Sequence, residues 1–501
     1  MALAPVSISC PVYNPVAERR AGPDAARVVR QDRKHWEHAD GLVPASQLTP
    51  PVRKRLRDRT RHEVQNNTYA AGVVKTLVND TVGRGGRLQL LTDDDRLNAA
   101  GESLWREWAA AADWGLTSRL ACGVEIVAGE SFGVPRESKR LKRLGIPVEL
   151  DLRLLEPDQV SHGVTADWAL NNPYGDDGVV CDADGEVVAY KVLKAHPGDQ
   201  RHLAGSPWQA DTVAADDVLH WIQPQRPGQL RGVTRFTPAL PIFAQLRRFT
   251  SATLTSAEVA AYLSGVFELP DSLNPPAMLS GSVEAATMDT MELVKGTLVA
   301  VPGGGKITQF KPEQPTTGYD QFVSAKLREI GRAVNMPYGR IAGTFVEHTY
   351  SGGRMEEELY WGERDIERQA MEAKFFNPFV RRWLDFARFV IPALAAYRGP
   401  VGRLPFGWQY DARPTADAVK DATGDELNLT NGTDTLSDIA AREGLTVGEL
   451  IAKRKRDIEA WKAAGLPLAP WMAGSTAPAR VGDGVPQNPA DAKSEAARVA
   501  P

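Results

Sequence analysis

The chain has 501 residues, of which 43% are hydrophobic and 24% are charged, and its formal net charge is −4. This length predicts roughly three domains with a substantial buried core, and the composition is that of an ordinary globular protein. The slight negative charge argues against a high-affinity nucleic-acid binder, whose domain is usually strongly basic.

Other simple features exclude further classes of protein. No uncharged run approaches about 18 apolar residues, so we expect no transmembrane span. The N-terminus lacks a positive region ahead of an apolar run, so we expect no secretory signal. Cys10, Cys122 and Cys181 are too widely spaced for a disulfide framework or a metal site. These sparse cysteines indicate synthesis in a reducing cytoplasm. His35 and His38 lie three residues apart with no further ligand nearby, so we expect no metal and no cofactor.

The first part of the chain predicts an arm followed by helices. Residues 1–54 lack sustained periodicity, which is typical of a partly disordered arm. A run of basic side chains then begins, which we interpret as a solvated helix face, with a nucleic-acid or partner contact as the alternative. Its members are Arg53, Lys54, Arg55, Arg57, Arg59 and Arg61. The next segment predicts a helix that ends at Gly83 and then a strand. A second helix, from Asp93 to Trp114, carries Trp105 and Trp108 as core residues.

Strands are favoured from about Gly123, beginning with the β-branched segment VEIVA. VELDLRLLEPDQV and VLHWI predict two further strands. VVCDADGEVVAYKVL predicts a hairpin with Asp184-Gly185 in its tight turn.

One segment formally matches a catalytic motif. Gly129-Glu130-Ser131-Phe132-Gly133 fits the G-x-S-x-G nucleophile elbow of serine hydrolases. That motif requires a helix directly after it, whereas here VPRESKRLKRLGIPVEL predicts a charged loop and another strand. We therefore favour a structural role, with hydrolysis at Ser131 as the alternative.

The middle of the chain predicts a long helix and then short, proline-punctuated strands. The helix covers about Thr237 to Ser264 and carries a stripe of apolar side chains that includes Phe243 and Leu254. Within residues 266–318, Gly303-Gly304-Gly305-Lys306 suggests a phosphate cradle. Ala300 and Ile307 stand where that motif needs Gly and Ser or Thr, so a hairpin turn is the better interpretation.

The stretch from Tyr319 to Leu384 predicts a helix, a break and a longer helix. Pro337 ends the first helix, and Gly339, Gly343, Gly352 and Gly353 lie in the break. The second helix starts at about Arg354, and six acidic residues lie on its first part: Glu356, Glu357, Glu358, Glu363, Asp365 and Glu367. We interpret this acidic face as solvated, with a divalent-ion site as the alternative. A glycine-bounded loop between two long amphipathic helices is typical of machines that grip a moving polymer.

Beyond Pro392, the sequence predicts a short strand-like piece, modest helices and an Ala-, Pro- and Gly-rich tail. The fold class is therefore α+β. We find no catalytic or metal constellation, and the residues on their own favour a structural or interaction protein.

The order of several segments resembles the phage portal proteins of the lambda family. Those segments include QNNTYAAGVVKTLVNDTVGRGGRL, IVAGESF, LLEPDQV, VLHWIQPQRPGQLRGVTRFTPAL, REIGRAVNMPYGRIAGTFVEHTYSGGRMEEELYW and LSDIAAREGLTVGEL. They run over about Arg61 to Lys455. The element Thr349-Tyr350-Ser351-Gly352-Gly353-Arg354 departs from the family by carrying glycines where a second serine is usual.

This resemblance implies a division of the chain into the parts of a portal subunit. They are an arm (1–54), a wing (55–235), a stem helix (236–264), a clip (265–318), a second stem helix (319–335), a tunnel loop (336–353), a long wing or crown helix (354–392), a crown with C-terminal helices (393–465) and a disordered tail (466–501).

The resemblance also implies partners and sites. The expected assembly is a ring of about twelve copies at one capsid vertex. Its partners would be double-stranded DNA bound without sequence preference, the terminase large subunit, head–tail connector proteins, and the major capsid and scaffold proteins. Residues expected to face DNA in the channel are Arg340, His348, Tyr350, Ser351 and Arg354, and those expected to dock the motor are Lys306 and Lys311. The protein would not be an enzyme or contact a membrane. A portal of a defective prophage or gene-transfer particle fits the same sequence.

Overall fold

A computed structural model of the chain describes residues 50–161, 175–199, 209–262, 266–268, 306–308, 316–344, 349–396, 403–411, 413, 418–442 and 446–465. The predictions for the arm before Pro50, for His35 and His38, for the glycine run at 303–305 and for the tail after Gly465 fall outside these residues. Most of the predicted clip also falls outside them.

The first half of the described chain combines helices with short strands. Its elements are α1 (Pro50–Asn66), α2 (Thr68–Val82), β1 (Arg87–Leu90), α3 (Asp95–Ala112), α4 (Trp114–Ala128), β2 (Glu130–Glu137), α5 (Lys139–Arg143), β3 (Leu150–Leu155), β4 (Val179–Cys181), β5 (Val187–Leu193), β6 (Ala210–Ala214) and β7 (Leu219–Ile222).

The second half is mainly helical. Its elements are α6 (Leu240–Tyr262), β8 (Val266–Glu268), β9 (Lys306–Thr308), α7 (Thr316–Ala333), α8 (Tyr338–Ala342), α9 (Tyr350–Met371), a π-helical turn (Glu372–Phe376), α10 (Asn377–Ala387), α11 (Pro392–Ala396), β10 (Phe406–Gln409), α12 (Ala418–Asn431), α13 (Leu436–Arg442) and α14 (Val447–Ala463).

The chain divides into two compact units. The first comprises residues up to Thr81, Arg119–Lys142 and Glu149–Trp383; the second comprises Val82–Ser118, Arg143–Val148 and the residues from Leu384 onward. Within the described ranges, every helix is too short or too polar to span a lipid bilayer.

Two small antiparallel sheets form the β-rich part of the first unit. Their strand orders are β3-β2-β7 and β4-β5-β6. Phe132 lies opposite both Leu155 and His220 in the first sheet. Phe132 and Leu155 share a buried cluster with Val160, Val192 and other apolar side chains, so one core joins residues from both sheets.

The predicted hairpin is confirmed as the β4–β5 pair. Gly185 has φ +84°, a conformation that glycine adopts without a steric penalty. The Asp182 carboxylate accepts hydrogen bonds from the backbone N–H groups of Asp184 and Glu186, at 3.0 and 2.9 Å. The turn is therefore built from local sequence.

Tryptophans form the core of the second unit, next to the antiparallel β1–β10 pair. The Trp105 ring lies 4.8 Å from Trp108, 5.6 Å from Trp114 and 5.7 Å from Trp408, measured between ring centroids. Trp105 and Trp108 are only 3% and 0% exposed. The prediction that these two side chains belong to the core is confirmed.

The strand predicted for VEIVA is wrong, because helix α4 continues through Ala128. Cys122 and Ile126 are fully buried four residues apart, which matches the period of a helix. Packing thus overrides the β preference of the branched residues. The charged loop predicted after Gly133 is also wrong, since β2 continues to Glu137 and α5 follows.

The basic run does not form one solvated face. Arg53 and Arg57 are buried at 2% and 4% exposure, while Lys54, Arg55 and Arg59 are exposed on the other side of α1. Residues i and i+4 share a helix face, so α1 divides its charges between the interior and the surface.

The buried side of α1 is held by carboxylates. Arg53 donates two hydrogen bonds to Asp176, at 2.7 and 2.8 Å. Arg57 donates to Asp158 at 3.3 Å, and Arg61 donates to Asp158 at 2.7 Å. These bonds attach α1 to loops more than 90 residues away in sequence. The interpretation of the whole run as solvated is therefore wrong for this side.

Candidate channel loop and its supporting ion pairs

The first predicted helix of the loop region ends as expected before Pro337. Asn335 adopts a left-handed conformation with φ 51°, and the Met336 N–H donates to the carbonyl of Gly331 at 2.8 Å. A Cβ atom at position 331 would lie 2.6 Å from the Met336 carbonyl oxygen. The chain therefore reverses tightly here because Gly331 has no side chain.

The predicted break contains a short helix, α8, which the sequence analysis missed. It begins after Pro337 and ends at Gly343, which is left-handed with φ 68° and ψ 23°. The Tyr338 hydroxyl lies 2.9 Å from the Ser324 hydroxyl, and the Arg328 guanidinium lies 4.6 Å from the Tyr338 ring centroid. These contacts pack α8 against α7.

The long helix begins earlier than predicted, at Tyr350 instead of Arg354. The Thr349 side chain caps it by accepting a hydrogen bond from the Gly352 N–H at 3.3 Å. The two glycines of the first turn are thus helical. The connection between α8 and α9 is reduced to residues 343–349, which we call the channel loop; residues 345–348 lie outside the described chain.

Arg340 fixes the base of the channel loop. Its Nε and Nη2 atoms donate to Glu357 on α9, at 2.8 and 2.6 Å, and its Nη1 donates to Asp80 on α2 at 2.6 Å. The guanidinium also lies 4.6 Å from the Tyr360 ring centroid, and the Tyr360 hydroxyl donates to Asp80 at 2.8 Å. One side chain therefore connects three helices.

The surrounding charges keep the Arg340 guanidinium protonated. Burial alone would lower the pKa of Arg340, but its bond to Glu357 and the charge of Asp80 raise that pKa above the ordinary value. Burial and the nearby Asp80 carboxylate raise the pKa of Tyr360, which stays a neutral hydrogen-bond donor.

A second ion-pair group holds the middle of α9. Arg235 donates to Glu125 and Glu367 through short hydrogen bonds, and Arg364 also donates to Glu367. Arg364 is fully buried. The predicted solvated acidic face is therefore wrong at two of its six acidic positions, Glu357 and Glu367, because arginines from distant segments neutralise them.

The helix that was predicted to run unbroken to Leu384 is interrupted by the π-helical turn Glu372–Phe376. Phe375 and Phe376 are fully buried in this turn. A π-turn adds a residue to the helical repeat and changes the direction of the side chains that follow. Both phenylalanines reach the core in this way.

A third polar group lies around Glu130 in β2. Arg231 donates to this fully buried carboxylate at 2.7, 2.9 and 3.0 Å, and the Gly232 N–H donates at 2.8 Å. Burial alone would raise the pKa of Glu130, but the Arg231 charge and the His220 and Arg231 hydrogen bonds hold it well below its usual range. Glu130 is thus a structural anion and no proton donor at neutral pH.

Ser131 does not sit in a nucleophile elbow. It lies inside β2, which continues to Glu137 with no strand-to-helix turn after the serine. Ser131 is 1% exposed, and its hydroxyl has no hydrogen-bond partner among the described residues. His220 bonds Glu130 and stacks on Phe132, so it lies on the opposite face of the strand.

The first glycine of the motif, Gly129, has a structural explanation. Gly129 has φ +90°, and a Cβ atom there would lie 2.3 Å from the Val233 backbone. Two backbone segments therefore cross too closely for any side chain. This crossing accounts for the first glycine of the motif.

Glu156, Asp158 and His196 place potential metal-ligating atoms within 4.8 Å of one another. The Arg61 guanidinium, however, donates to Glu156 at 2.8 Å and to Asp158 at 2.7 Å. A cation from the chain itself already balances these carboxylates, so we interpret the group as an ion-pair cluster.

The predicted site residues are distributed around the channel loop. Ser351 and Arg354 are exposed on the first turns of α9, and Arg354 pairs with Glu358 at 3.3 Å. Tyr350 is the first residue of α9, and Lys306 is the first residue of β9. His348 and Lys311 lie outside the described residues. Contacts of these residues with DNA or a motor stay predictions.

Several large apolar side chains on the long helices are exposed. Met355, Leu359 and Ile366 on α9 are 66%, 77% and 63% exposed, and Leu254 on α6 is 60% exposed. The three α9 residues lie on one face, at spacings of four and seven residues.

The described molecule is thus a mixed helix and sheet protein with a loop supported by ion pairs and an uncovered apolar helix face. The chain belongs to the lambda family of phage portal proteins, whose family model matches residues 33–368.

Individual relatives agree with this assignment. The chain is 23% identical over 466 residues to the probable portal protein of Halomonas phage phiHAP-1, a match that covers 88% of this chain and 87% of that protein. It is 22% identical over 281 residues to portal protein B of Escherichia phage lambda, covering 51% of this chain and 52% of that protein.

Solved structures from gene transfer agent particles are also similar. A chain from the neck of a native particle, computed with C12 symmetry, has a TM-score of 0.45 at 14% identity and covers 83% of this chain and 99% of that chain. A chain from the virion of a native particle has a TM-score of 0.43 at 13% identity, with the same coverage. The family assignment itself rests on the sequence match.

Proposed function

We propose that this chain is the subunit of a portal ring of about twelve copies at one vertex of a viral capsid. Double-stranded DNA is packaged through the ring by a terminase motor and later leaves by the same channel, and head–tail connector proteins dock on it. Family membership supports the role, and the uncovered apolar face of α9 is the structural observation that carries the assembly.

Single exposed apolar side chains are common, but three on one helix face form a patch that is typical of an interaction site. Met355, Leu359 and Ile366 form such a face, and each is more than 60% exposed. Association with further copies would remove this surface from water, and a rotation that closes on itself gives a ring.

The positions of the stem and clip are supported by local geometry. α6 and α7 pack against each other, with the Phe249 and Phe322 ring centroids 4.1 Å apart. β8 follows α6, β9 precedes α7, and these strands pair antiparallel. A two-stranded ladder thus joins the beginning and the end of the segment 265–318, which suits a clip between two stem helices. Lys306 and Lys311 would dock the motor there.

The remaining parts follow the portal plan. Residues 55–235 form the wing, α9 with the π-helical turn and α10 forms the long wing or crown segment, and residues 393–465 form the crown. Major capsid and scaffold proteins contact the assembled ring in the host cytoplasm, and the finished ring resides in the virion. The protein has no catalytic role of its own.

The channel loop and the first turns of α9 are the proposed contact with DNA. His348, Tyr350, Ser351 and Arg354 would make transient, sequence-independent contacts with phosphate and sugar. Arg340 was expected to join them, but its two carboxylate partners favour a role as an anchor of the loop. A subunit with a net charge of −4 suits a channel that must not hold DNA tightly.

Electron microscopy of the purified chain tests this proposal. We expect closed rings with a central channel wide enough for a DNA duplex, about 20 Å across. Compact single chains, or open filaments with no channel, would contradict it.

A further inference from the structure

The uncovered face of α9 is acidic as well as apolar. Glu356 and Glu358 are exposed on either side of the stripe formed by Met355, Leu359 and Ile366, and Glu358 also pairs with Arg354 at 3.3 Å. We call these five residues the α9 face. Residues three and four apart on a helix are neighbours, so the carboxylates border the apolar strip on both flanks.

A groove lined by cations and carboxylates lies elsewhere in the same unit, between α1 and α6. Its two carboxylates, Asp58 and Glu63, are paired with Lys54 and Arg247, at 2.7 and 3.0 Å. It has a volume of about 730 Å³, and its apolar lining includes Leu240, Pro241 and Ala244 from α6. Arg55 and Arg59 from α1 line it as well and are exposed. We call it the α1/α6 groove.

The two arginines are available for a partner. Among the residues that the structure describes, neither Arg55 nor Arg59 has a carboxylate within 4.0 Å of its guanidinium. Their neighbour Lys54 pairs within the helix, to Asp58 at 2.7 Å. The buried side of α1, by contrast, is neutralised by Asp176 and Asp158. Arg55 and Arg59 thus lie at the surface of the groove without a carboxylate partner among the described residues.

We infer that the α9 face of one copy docks in the α1/α6 groove of the neighbouring copy. This inference rests on the proposed ring and names the surfaces that close it. Each surface combines an apolar centre with charged edges of opposite sign, the usual arrangement of a protein interface.

The geometry also suits a ring instead of a symmetric pair. The α9 face and the α1/α6 groove are different surfaces of one chain, so each copy offers one of each to two neighbours. Such head-to-tail contacts produce rings when the rotation closes. Met355, Leu359 and Ile366 would become buried in this contact and supply most of its affinity. The charges would select the partner and fix its register.

Charge reversal with complementation tests the contact. The acidic-face variant is Glu356→Lys with Glu358→Lys, and the groove variant is Arg55→Glu with Arg59→Glu. Each reverses two charges and leaves its surface facing a like charge. We expect each variant alone to lose ring assembly about tenfold or more, as measured by mass photometry. Thermal unfolding of each variant verifies that it folds.

Mixing the two variants is the decisive step. The lysines of the first variant then face the glutamates of the second variant's groove, and the unmodified surfaces face each other as in the wild type. We expect rings to return in the mixture, with both variants present in equal amounts. Arg136→Glu with Lys139→Glu, which reverses two exposed charges elsewhere in the same unit, is the matched control and should form normal rings.

The outcomes separate the inference from the proposed function. Wild-type protein that forms no rings overturns the proposed function. If the wild type forms rings, two results overturn the inference. Either both variants alone form normal rings, or the variants form no rings even when they are mixed. Residues 1–49 run directly into α1 and are the other candidate occupant of the groove. A chain lacking them should still assemble and still respond to the groove variant, and loss of that response would assign the groove to the arm.

Discussion

The Arg340 guanidinium donates two hydrogen bonds to the Glu357 carboxylate, at 2.8 and 2.6 Å, although the channel loop separates the two residues in sequence. Such a bidentate pair has a fixed geometry. The helices on either side of the loop are therefore held together at its base, whatever the loop itself does.

Arg340→Ala should destabilise the fold more than a typical surface substitution. The side chains of Arg340 and Asp80 are only 16% and 17% exposed, so removing the guanidinium leaves partly buried carboxylates unpaired. We expect a loss of about 2–4 kcal/mol in the free energy of unfolding and faster hydrogen exchange in α8.

Arg354→Ala is the matched control for this change. Its pair with Glu358 is exposed at 43% and 69%, so its removal should cost less than about 1 kcal/mol. Denaturant unfolding compares the two variants. Equal losses for both would show that Arg340 is not an anchor.

His220 should make stability depend on pH. Burial lowers the pKa of His220 despite the opposing effect of Glu130, so the folded protein holds the imidazole neutral. As pH falls below about 6.5, the unfolded chain takes up a proton that the folded chain does not, and the free energy of unfolding declines. The loss continues until pH passes the folded pKa.

Unfolding at pH 7, 6 and 5 measures this effect. His220→Gln should flatten the decline over this range. A His220→Gln slope as steep as the wild type would contradict the assignment.

Ser131→Ala should leave the protein functional and as stable as before, or more stable by up to about 1 kcal/mol, because it removes a buried hydroxyl without a described partner. A fluorophosphonate probe should not label Ser131. Covalent labelling at this position would revive the hydrolase alternative.

The channel loop can be tested by shortening it. Replacing residues 345–348 with two glycines should leave rings nearly normal, because α8 and α9 remain joined through Arg340 and Glu357. DNA packaging, or retention of packaged DNA, should decrease. Filled particles with the wild-type DNA content, or loss of rings, would each show that the loop is misassigned.

Local chemistry made several elements predictable from the sequence. The Asp184-Gly185 turn needs only a glycine with positive φ and the Asp182 side chain. The helix around Trp105 and Trp108 has its own period and an Asp94 cap. The loop between two helices was likewise visible from Pro337 and the glycines around it.

Long-range pairing was not predictable. Arg53 meets Asp176, 123 residues away, and Arg340 meets Asp80, 260 residues away. A charged side chain gives no local sign of a distant partner, so these arginines resembled surface residues. The strand prediction for VEIVA failed for a related reason. Glu125 in this segment forms a buried pair with the distant Arg235, within a helix that local β preference does not favour.

Many copies of this chain are expected to close into one ring, and native mass spectrometry of the purified protein counts them. We expect one dominant particle of about twelve times the 54.5 kDa chain mass, with a narrow range of copy numbers. A monomer that persists across protein concentration and salt would rule out the ring.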